Sequence, residues 1–239
     1  MNNNADAAVA RHQNDIQSWD WSFVDRIVYI NLDVRKDRDA QLRDNFKLIG
    51  IPEEKYHRFA AISHEVGQYG CVLSHIAVLN EAKNNGWRNI LIIEDDMVFN
   101  NSPEDPERWL TFINHLTQQA SWDVAMLSGN HYILNTITTG FTRTKFSYCS
   151  NCYMVNAHYY DRLIENLNET KENLEKDLTN KKLHLDANWI KIMEKDNWFA
   201  IYPCLGYQSN GFSDIESRNI DHTGTFTRKI DDIKIYGSY

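Results

Sequence analysis

Three consecutive carboxylates, Glu94-Asp95-Asp96, follow an unbroken apolar run, Ile90-Leu91-Ile92-Ile93. The apolar run predicts a buried strand over Asn89–Ile93, and in open α/β sheets ligands bind beyond the carboxyl ends of the strands. Adjacent carboxylates repel one another unless a cation lies among them. Oxygen ligands select Mn²⁺ or Mg²⁺ over zinc, and such an ion would neutralise charge on a diphosphate leaving group. An acidic solvated loop is the alternative interpretation.

The elements around these carboxylates alternate between strands and helices, which is typical of an α/β fold with a parallel sheet. The first half predicts strands over Arg26–Leu32, Tyr56–Ile62, Asn89–Ile93 and Trp122–Leu127, and helices over 33–50, Cys71–Asn85 and Pro106–Gln119. The second half predicts strands over Tyr148–Val155 and Trp198–Tyr202, helices over Ala157–Leu167 and Asp186–Lys195, a charged helix or loop over 168–182, and a loop-like tail from Gly206.

The composition is that of a folded protein with an acidic balance. The chain has 239 residues, 12% of them aromatic, and its 25 Lys and Arg against 33 Asp and Glu give a net charge of −8. This charge argues against nucleic acid as a partner, because affinity for nucleic acid comes mostly from Lys and Arg. Four scattered cysteines suit a reducing compartment. The absence of a signal-like or membrane-spanning apolar run predicts no membrane span and a cytoplasmic location.

Two blocks of the sequence together resemble glycosyltransferase family 25, which includes lipooligosaccharide and procollagen galactosyltransferases. The first block is Val28-Tyr29-Ile30-Asn31-Leu32-Asp33 with Arg35 and Arg38. The second is Gly70-Cys71-Val72-Leu73-Ser74-His75, followed by the strand with its three carboxylates. A weaker third block is Asn151-Cys152-Tyr153-Met154-Val155-Asn156. The resemblance is good over about residues 25–100 and patchy to about residue 215.

The resemblance implies a GT-A fold, with a mostly parallel mixed sheet flanked by helices and an irregular C-terminal part. A polar tail or surface helix over residues 1–20 would precede a single domain over 21–239. Its nucleotide-sugar half would cover about residues 25–130 and its acceptor side about 131–239. The implied ligands are a nucleotide-sugar donor and usually Mn²⁺, with Mg²⁺ as the alternative.

For the acidic motif, the resemblance implies a division of roles. Asp96 would bind the metal directly, Glu94 would bind it directly or through water, and Asp95 would contribute to donor binding. His222, in the C-terminal tail, is the best candidate for a third metal ligand. Similar glycosyltransferases carry a late metal-binding histidine, and neutral imidazole is an acceptable ligand for Mn²⁺.

The resemblance also assigns roles to residues around the motif. Asn31 and Leu32, at the end of the first strand, would face the nucleotide, and Arg38 would support that loop or meet the donor. Ser74 and His75 would lie in the first turn of their helix, with Ser74 on the side opposite the apolar stripe. Ser74 would be free to face a cleft, and both residues are expected to contribute to donor binding. Helix capping and packing are the alternative for both.

Asp186, in His184-Leu185-Asp186-Ala187-Asn188-Trp189, is the candidate general base. It resembles a late acidic position of the family, and a carboxylate within hydrogen-bond reach makes an acceptor hydroxyl more nucleophilic. Trp189 or Trp198 would then offer an aromatic surface to the sugar. Asp186 also suits the N-cap of the helix that follows, and one residue could serve both roles.

The leading hypothesis is a metal-dependent transferase that moves a hexose, glucose or galactose, from a UDP-sugar to a hydroxyl group. The acceptor would be a glycan or the hydroxylysine of a collagen-like protein. A metal phosphohydrolase is one rival, although Glu94-x-Asp96-x-Val98 lacks the leading aspartate nucleophile of the aspartyl-phosphate type. A non-catalytic relative acting in binding or adhesion is another, although a binding module gains nothing from three crowded carboxylates.

Overall fold

A six-stranded mixed sheet is the centre of the computed structural model, which describes residues 19–180, 183–213, 218–221 and 223–229. Its strands are β1 (Arg26–Asn31), β2 (Tyr56–Ala60), β3 (Asn89–Glu94), β5 (Val124–Thr138), β6 (Phe141–Asn156) and β7 (Trp198–Ile201). They lie in the order β2-β1-β3-β6-β5-β7, and β6 also pairs with β7. Strand β6 is antiparallel to its neighbours, and the other pairings in this sheet are parallel. The α/β class and the mostly parallel sheet expected of a GT-A fold are confirmed.

The other elements surround this sheet. The helices are α1 (Lys36–Leu48), α2 (Gly67–Asn85), α3 (Asp105–Thr117), α4 (Tyr160–Lys176) and three single turns, α5 (Leu185–Asn188), α6 (Ile190–Met193) and α7 (Thr223–Phe226). Short strands β4 (Met97–Phe99) and β8 (Gly206–Gln208) pair with each other, as do β9 (Gly211–Ser213) and β10 (Arg218–Ile220). Among the described residues, no helix has the length and apolarity needed to cross a membrane.

Two apolar cores lie on the two faces of the sheet, because successive side chains of a strand point to opposite faces. On β1, Val28 and Ile30 belong to one core, while Ile27 and Tyr29 belong to the other. Helices α2 and α4 contribute apolar residues to the first core, and α1 and α3 contribute to the second. The sheet is therefore the middle of three layers, and the polar residues at its strand ends lie outside both cores.

Helix α2 ends where the sequence predicts but begins four residues earlier. Gly86 follows the helix with φ +65°, in the left-handed conformation that glycine adopts without steric cost. The predicted start at Cys71 is wrong, because the helix begins at Gly67. Ser74 and His75 accordingly lie in the third turn rather than the first, so their side chains are placed by packing and not by the helix terminus.

The chain changes direction across the sheet between β1 and β3. From β1 it proceeds to β2 on one side, then returns to β3 on the other side of β1. Ile30 of β1 is in register with Glu94 of β3. Such a switch point leaves a crevice at the carboxyl ends of the two strands. Glu94 ends β3 at this position, and Asp95 and Asp96 follow it.

The second half differs most from the sequence-based expectation. Strands β5 and β6 form a long hairpin, although the patterns predict only 122–127 and 148–155 as strand. Helix α4 continues to Lys176, through most of the charged segment that begins at residue 168. Two single turns replace the helix predicted over 186–195, and short strand pairs occupy part of the predicted loop-like tail. Trp19 is buried and stacks on Trp21, whereas residues 1–18 of the predicted N-terminal tail lie outside the described part.

Candidate active site

A cleft of about 380 Å³ opens at the carboxyl ends of β1 and β3. The turn between β3 and β4 forms its floor, and α2 and the loop after β2 form its wall. Its lining includes all but one of the predicted donor-side and motif residues that the structure describes, namely Leu32, Arg38, Ser74, His75, Glu94, Asp95 and Asp96, together with Gln208. The fold therefore brings together residues that the sequence separates by more than sixty positions.

Asp95 is held on both of its carboxylate oxygens. Arg38 Nη1 donates to Oδ1 over 2.8 Å, and Asn31 Nδ2 donates to Oδ2 over 2.8 Å. Burial raises the pKa of Asp95, and the positive charge and hydrogen bond of Arg38 oppose that rise. Both oxygens of the Asp95 carboxylate are thus hydrogen-bonded within the protein. Arg38 binds the turn after β3, and its expected roles toward the loop after β1 and the donor stay predictions.

Asp96 has one paired and one unpaired oxygen. Gln208 Nε2 donates to Oδ2 over 2.8 Å, whereas Oδ1 is buried without a hydrogen-bond partner in the described part of the chain. Burial and the negative charge of Glu94 raise the pKa of Asp96 to about 7, although Arg38, whose Nη1 is 3.7 Å from Oδ2, opposes the shift. An unpaired oxygen on a buried carboxylate is costly, so this side chain is suited to a cation.

Glu94 faces hydroxyl and imidazole groups instead. Ser150 Oγ donates to its Oε1, and His75 Nε2 is 3.3 Å from the same oxygen, near enough for an ion pair but not aligned for a hydrogen bond. Burial opposes ionisation of Glu94, but the contacts with His75 and Ser150 and the charge of Arg38 bring its pKa below the ordinary value. Glu94 is therefore ionised beside Asp96.

The Gly70-Cys71-x-x-Ser74-His75 block fixes the wall of the cleft. A Cβ at Gly70 would lie 2.4 Å from the carbonyl oxygen of Ile62, so only glycine admits the loop this close. Ser74 Oγ donates to the Gly70 carbonyl over 2.7 Å and accepts from the Ile62 N–H over 2.9 Å. The hydroxyl of Ser74 is thus used to hold the loop against α2.

The two remaining side chains of this block face Glu94. His75 is fully buried, and its Nδ1 is 2.7 Å from the Tyr153 hydroxyl. The Cys71 sulfur, a nitrogen of His75 and a carboxylate oxygen of Glu94 all lie within 4.8 Å of one another. The spacing of the block therefore has a physical reason, since Gly70 and Ser74 position the wall and Cys71 and His75 border the carboxylates.

Asn31 and Leu32 have different surroundings at the end of β1. The Asn31 side chain is buried, and it donates to Asp95 and to the Arg35 carbonyl while accepting from Arg58 Nε over 2.8 Å. Leu32 lines the cleft. Contact with a nucleotide stays a prediction for both, and the structure shows in addition that Asn31 positions Asp95.

Asp186 lies near Glu94 but is not a helix N-cap. His184 is the residue that precedes helix α5, and no side chain caps that helix. The Asp186 carboxylate instead accepts the N–H of Cys149 on β6 over 2.8 Å. Burial raises its pKa, the Cys149 N–H and His184 lower it, and the charge of Glu94 raises it further. The N-cap interpretation is therefore wrong, because the carboxylate binds β6 and not the start of α5. A carboxylate with a raised pKa is a stronger base, and the general-base role of Asp186 stays a prediction.

The carboxylate oxygens of the acidic motif are suitable ligands for a hard divalent cation. Asp96 offers a buried, unpaired oxygen, and Glu94 and Asp95 add negative charge that the nearby Arg38 guanidinium offsets only in part. Because Asp95 is bound on both oxygens, Asp96 and Glu94 are the residues that would hold such an ion. His222, the predicted third ligand, lies outside the described residues.

Two sequence-based expectations about aromatic residues are wrong, and one neighbour was missed. Trp189 and Trp198 are fully buried, so neither can present a surface to a sugar. Their indole N–H groups donate to Ser147 and Tyr159. Ser150, which contacts Glu94, was not predicted, because its role depends on the pairing of β6 with β3. No local signal singles out Ser150, because polar residues recur along the whole of β6.

The family model of glycosyltransferase family 25 (LPS biosynthesis protein) matches residues 55–172, about half of the chain. The matched segment contains the Gly70–His75 block, the three carboxylates and Ser150. Together with the cleft, this match defines the protein as a glycosyltransferase. The chain belongs to glycosyltransferase family 25. No curated protein matches it.

Solved structures resemble the chain only remotely. A mannose-1-phosphate geranyltransferase from Thermus thermophilus is 10% identical, with a TM-score of 0.42 over 77% of this chain and 73% of that one. The glycosyltransferase GlyE of Streptococcus pneumoniae is 10% identical, with a TM-score of 0.39 over 74% and 38%. A glycosyltransferase involved in glycosylation of the major capsid of PBCV-1 is 8% identical, with a TM-score of 0.39 over 74% and 92%. At these values the resemblances do not bear on the substrate.

Proposed function

We propose that this glycosyltransferase moves a hexose, glucose or galactose, from a UDP-sugar to a hydroxyl group, and that it requires a divalent cation. The acceptor hydroxyl would belong to a glycan or to hydroxylysine in a collagen-like protein. The observation that carries the proposal is the buried Oδ1 of Asp96, which no described residue pairs, beside ionised Glu94 in the cleft. Mn²⁺ is the favoured ion and Mg²⁺ the alternative, since both prefer oxygen ligands. When bound, the ion would neutralise charge on the diphosphate of the leaving UDP.

The residues around the cation site would act as a fixed frame. Arg38 and Asn31 hold Asp95, and Gln208 holds one oxygen of Asp96, so the turn that carries the carboxylates has little freedom to reorient. A frame that is already ordered does not lose conformational entropy when the donor binds. Leu32 and the half-buried start of α2 would meet the nucleoside part of the donor.

Asp186 would serve as the general base of an inverting displacement. The acceptor hydroxyl oxygen would form a bond to the anomeric carbon while the bond from that carbon to the β-phosphate oxygen breaks. The hydroxyl proton would pass to Asp186, and UDP would leave with the bonding electrons. The Cys149 N–H fixes one oxygen of the Asp186 carboxylate, and burial and the charge of Glu94 favour proton uptake there.

A donor panel tests the proposal without knowledge of the acceptor. UDP-glucose, UDP-galactose and related UDP-sugars are incubated with the protein and either MnCl₂ or EDTA, and released UDP and free phosphate are measured. Slow release of UDP from one donor, only with the metal, is the expected result, and calorimetry should show UDP binding that depends on Mn²⁺. If no UDP-sugar is turned over and UDP does not bind with Mn²⁺ or Mg²⁺, the proposal is wrong.

A further inference from the structure

Three half-buried aromatic side chains, Tyr132, Phe146 and Tyr148, cluster on the β5–β6 hairpin and are called here the aromatic platform. Their ring centroids are 5.2 Å apart between Tyr132 and Phe146, 5.5 Å between Tyr132 and Tyr148, and 5.2 Å between Phe146 and Tyr148. None of the three belongs to either apolar core. The platform is therefore a group of large rings that core packing does not explain.

The backbone of β6 connects the platform to the reaction centre. Tyr148 belongs to the platform, the N–H of Cys149 binds Asp186, and the hydroxyl of Ser150 binds Glu94. Consecutive Cα atoms lie about 3.8 Å apart. The three β6 residues that belong to the platform, contact the proposed general base and contact the acidic motif therefore span about 8 Å of backbone. Burial and the charge of Asp186 both raise the pKa of Tyr148, consistent with this proximity.

A bulge in β6 produces this arrangement. Ser128 pairs with Cys152, and Asn130 pairs with Tyr148. An advance of four residues along β6 therefore lies opposite an advance of two residues along β5. Cys149, inside the bulge, has φ +73°, a left-handed conformation that is uncommon for residues other than glycine. Bulges re-aim side chains and occur next to active sites, and here the bulge turns the Cys149 N–H toward Asp186.

The chemistry of the platform favours a sugar. Aromatic faces cover the apolar C–H faces of sugar rings, while tyrosine hydroxyls offer hydrogen bonds at the edge. Arg228 lies with its guanidinium carbon 4.7 Å from the centroid of the Tyr132 ring and donates to Asn130 Oδ1. This positive charge would repel the ammonium group of a hydroxylysine side chain, so a neutral saccharide is the better ligand.

We propose that the aromatic platform binds a carbohydrate acceptor and directs its hydroxyl group toward Asp186. The proposal rests on the proposed glycosyl transfer and narrows its acceptor to a glycan. The platform would act by stacking and would take no part in proton transfer. It lies beyond the donor cleft, so its loss should leave UDP binding unaffected.

Saturation-transfer NMR tests the proposal through binding alone. Lactose, maltose and cellobiose are each added to the full chain, with and without UDP and MnCl₂, and transfer to sugar ring protons is recorded. Wild type should bind at least one disaccharide, and Tyr132→Ala and Phe146→Leu should weaken that binding by about 10-fold. Phe146→Leu keeps apolar volume, and thermal melting checks that both variants fold.

Ile137→Ala is the matched control, because Ile137 lies on the same hairpin, is 52% exposed and is not part of the platform. It should bind the disaccharide as wild type does. The proposal is overturned if wild type binds none of the disaccharides in either condition, or if both folded platform variants bind as wild type. It is also overturned if a hydroxylysine peptide binds in their place. Saccharide binding without Mn²⁺-dependent UDP binding would reject the proposed function while leaving the platform intact.

Discussion

The carboxylates at the end of β3 and the Asp186 carboxylate, which we propose to act on the sugar donor and on the acceptor, are held in different ways. They are called the donor end and the acceptor end below. At the donor end, the three carboxylates at the end of β3 are contacted by Arg38, Asn31, Gln208 and Ser150. Oδ1 of Asp96 is left without a partner among the described residues. At the acceptor end, Asp186 is a single carboxylate held by the Cys149 N–H. The donor end is a network of three hydrogen-bonded carboxylates that is suited to a cation, whereas the acceptor end is one carboxylate. Burial raises the pKa of Asp186, as it does the pKa values of Asp95 and Asp96.

Because of this difference, we expect substitutions at the two ends to impair different functions. Loss of a carboxylate at the donor end should remove donor binding and turnover together. Loss of the carboxylate at the acceptor end should remove turnover alone, because nothing at the donor end depends on Asp186 for a hydrogen bond among the described residues. Variants at the two ends can therefore break or sharpen the distinction.

The largest effect is expected for Asp96→Asn. The amide cannot supply a charged oxygen to a cation, so glycosyl transfer should fall by about 10³-fold or more. Mn²⁺-dependent UDP binding should disappear in calorimetry. Asp161→Asn, at a side chain that is 74% exposed, is the control and should behave as wild type. Retained UDP binding in Asp96→Asn would remove Asp96 from the cation site.

Asp186→Asn should lower kcat by about 10²- to 10⁴-fold, the usual contribution of a general base. The amide oxygen can still accept the Cys149 N–H, so the fold and the local backbone should persist. The dissociation constant of UDP with Mn²⁺ should stay near that of wild type, as measured by calorimetry. A parallel loss of UDP affinity would contradict the division between the two ends, and an unchanged kcat would leave Asp186 with a structural role.

The pH dependence of cation binding should be the next largest effect. The pKa of Asp96 is raised to about 7 in the folded protein, so protons compete with Mn²⁺ as pH falls below that value. Mn²⁺ affinity measured by calorimetry should therefore drop between about pH 8 and pH 6. Equal affinity at both values would show that Asp96 does not titrate in the folded protein.

Titration of Asp96 should also make the stability of the metal-free protein depend on pH. Here stability should fall as pH rises, whereas Mn²⁺ affinity should fall as pH drops. In the unfolded chain Asp96 ionises near its ordinary value of 3.8, so it favours the folded state below that pH. This contribution is lost as pH rises toward about 7. In metal-free buffer, Asp96→Asn should thus raise the melting temperature most at about pH 8. A gain of about 1 kcal/mol corresponds to about 2–4 °C for a chain of this size.

The smallest effect is expected for Ser150→Ala. Loss of one hydrogen bond to a charged group costs about 1.5–3 kcal/mol at most, and His75 remains beside Glu94. Transfer should fall by about 10-fold, and a loss of about 1.5 kcal/mol should lower the melting temperature by about 3–6 °C. Ser121→Ala, which removes an exposed hydroxyl bonded to Asn197, is the control. A loss as large as that of Asp96→Asn would show that Ser150 has a larger role than orienting Glu94.

Much of the donor end could be predicted because its parts are local in sequence. The apolar run before Glu94 predicts a buried strand, and the strand–helix alternation places its end at the edge of the sheet. The Gly70–His75 block is continuous in sequence, and all of it lies within helix α2. What local pattern could not show is that Asn31 and Arg38 bind Asp95, since those contacts span 64 and 57 residues.

The acceptor end was predicted less well, and particular residues show why. Trp189 and Trp198 look suitable for a sugar, but both are fully buried in the same apolar core. No local pattern separates a buried indole from an exposed one. Asp186 looks like a helix N-cap, but its partner is the Cys149 N–H, 37 residues earlier. The bulge that turns this N–H depends on the register between two strands.

The sequence by itself determined the α/β class, the acidic motif and the place of that motif at a strand end, because these follow from apolar periodicity and from residues adjacent in the chain. Only the tertiary structure decided which carboxylate oxygen has no partner within the described ranges, and which aromatic rings there stay outside the apolar cores. The physical reason is that strand register, bulges and side-chain burial are set by packing between distant segments, whose energies no short stretch of sequence contains.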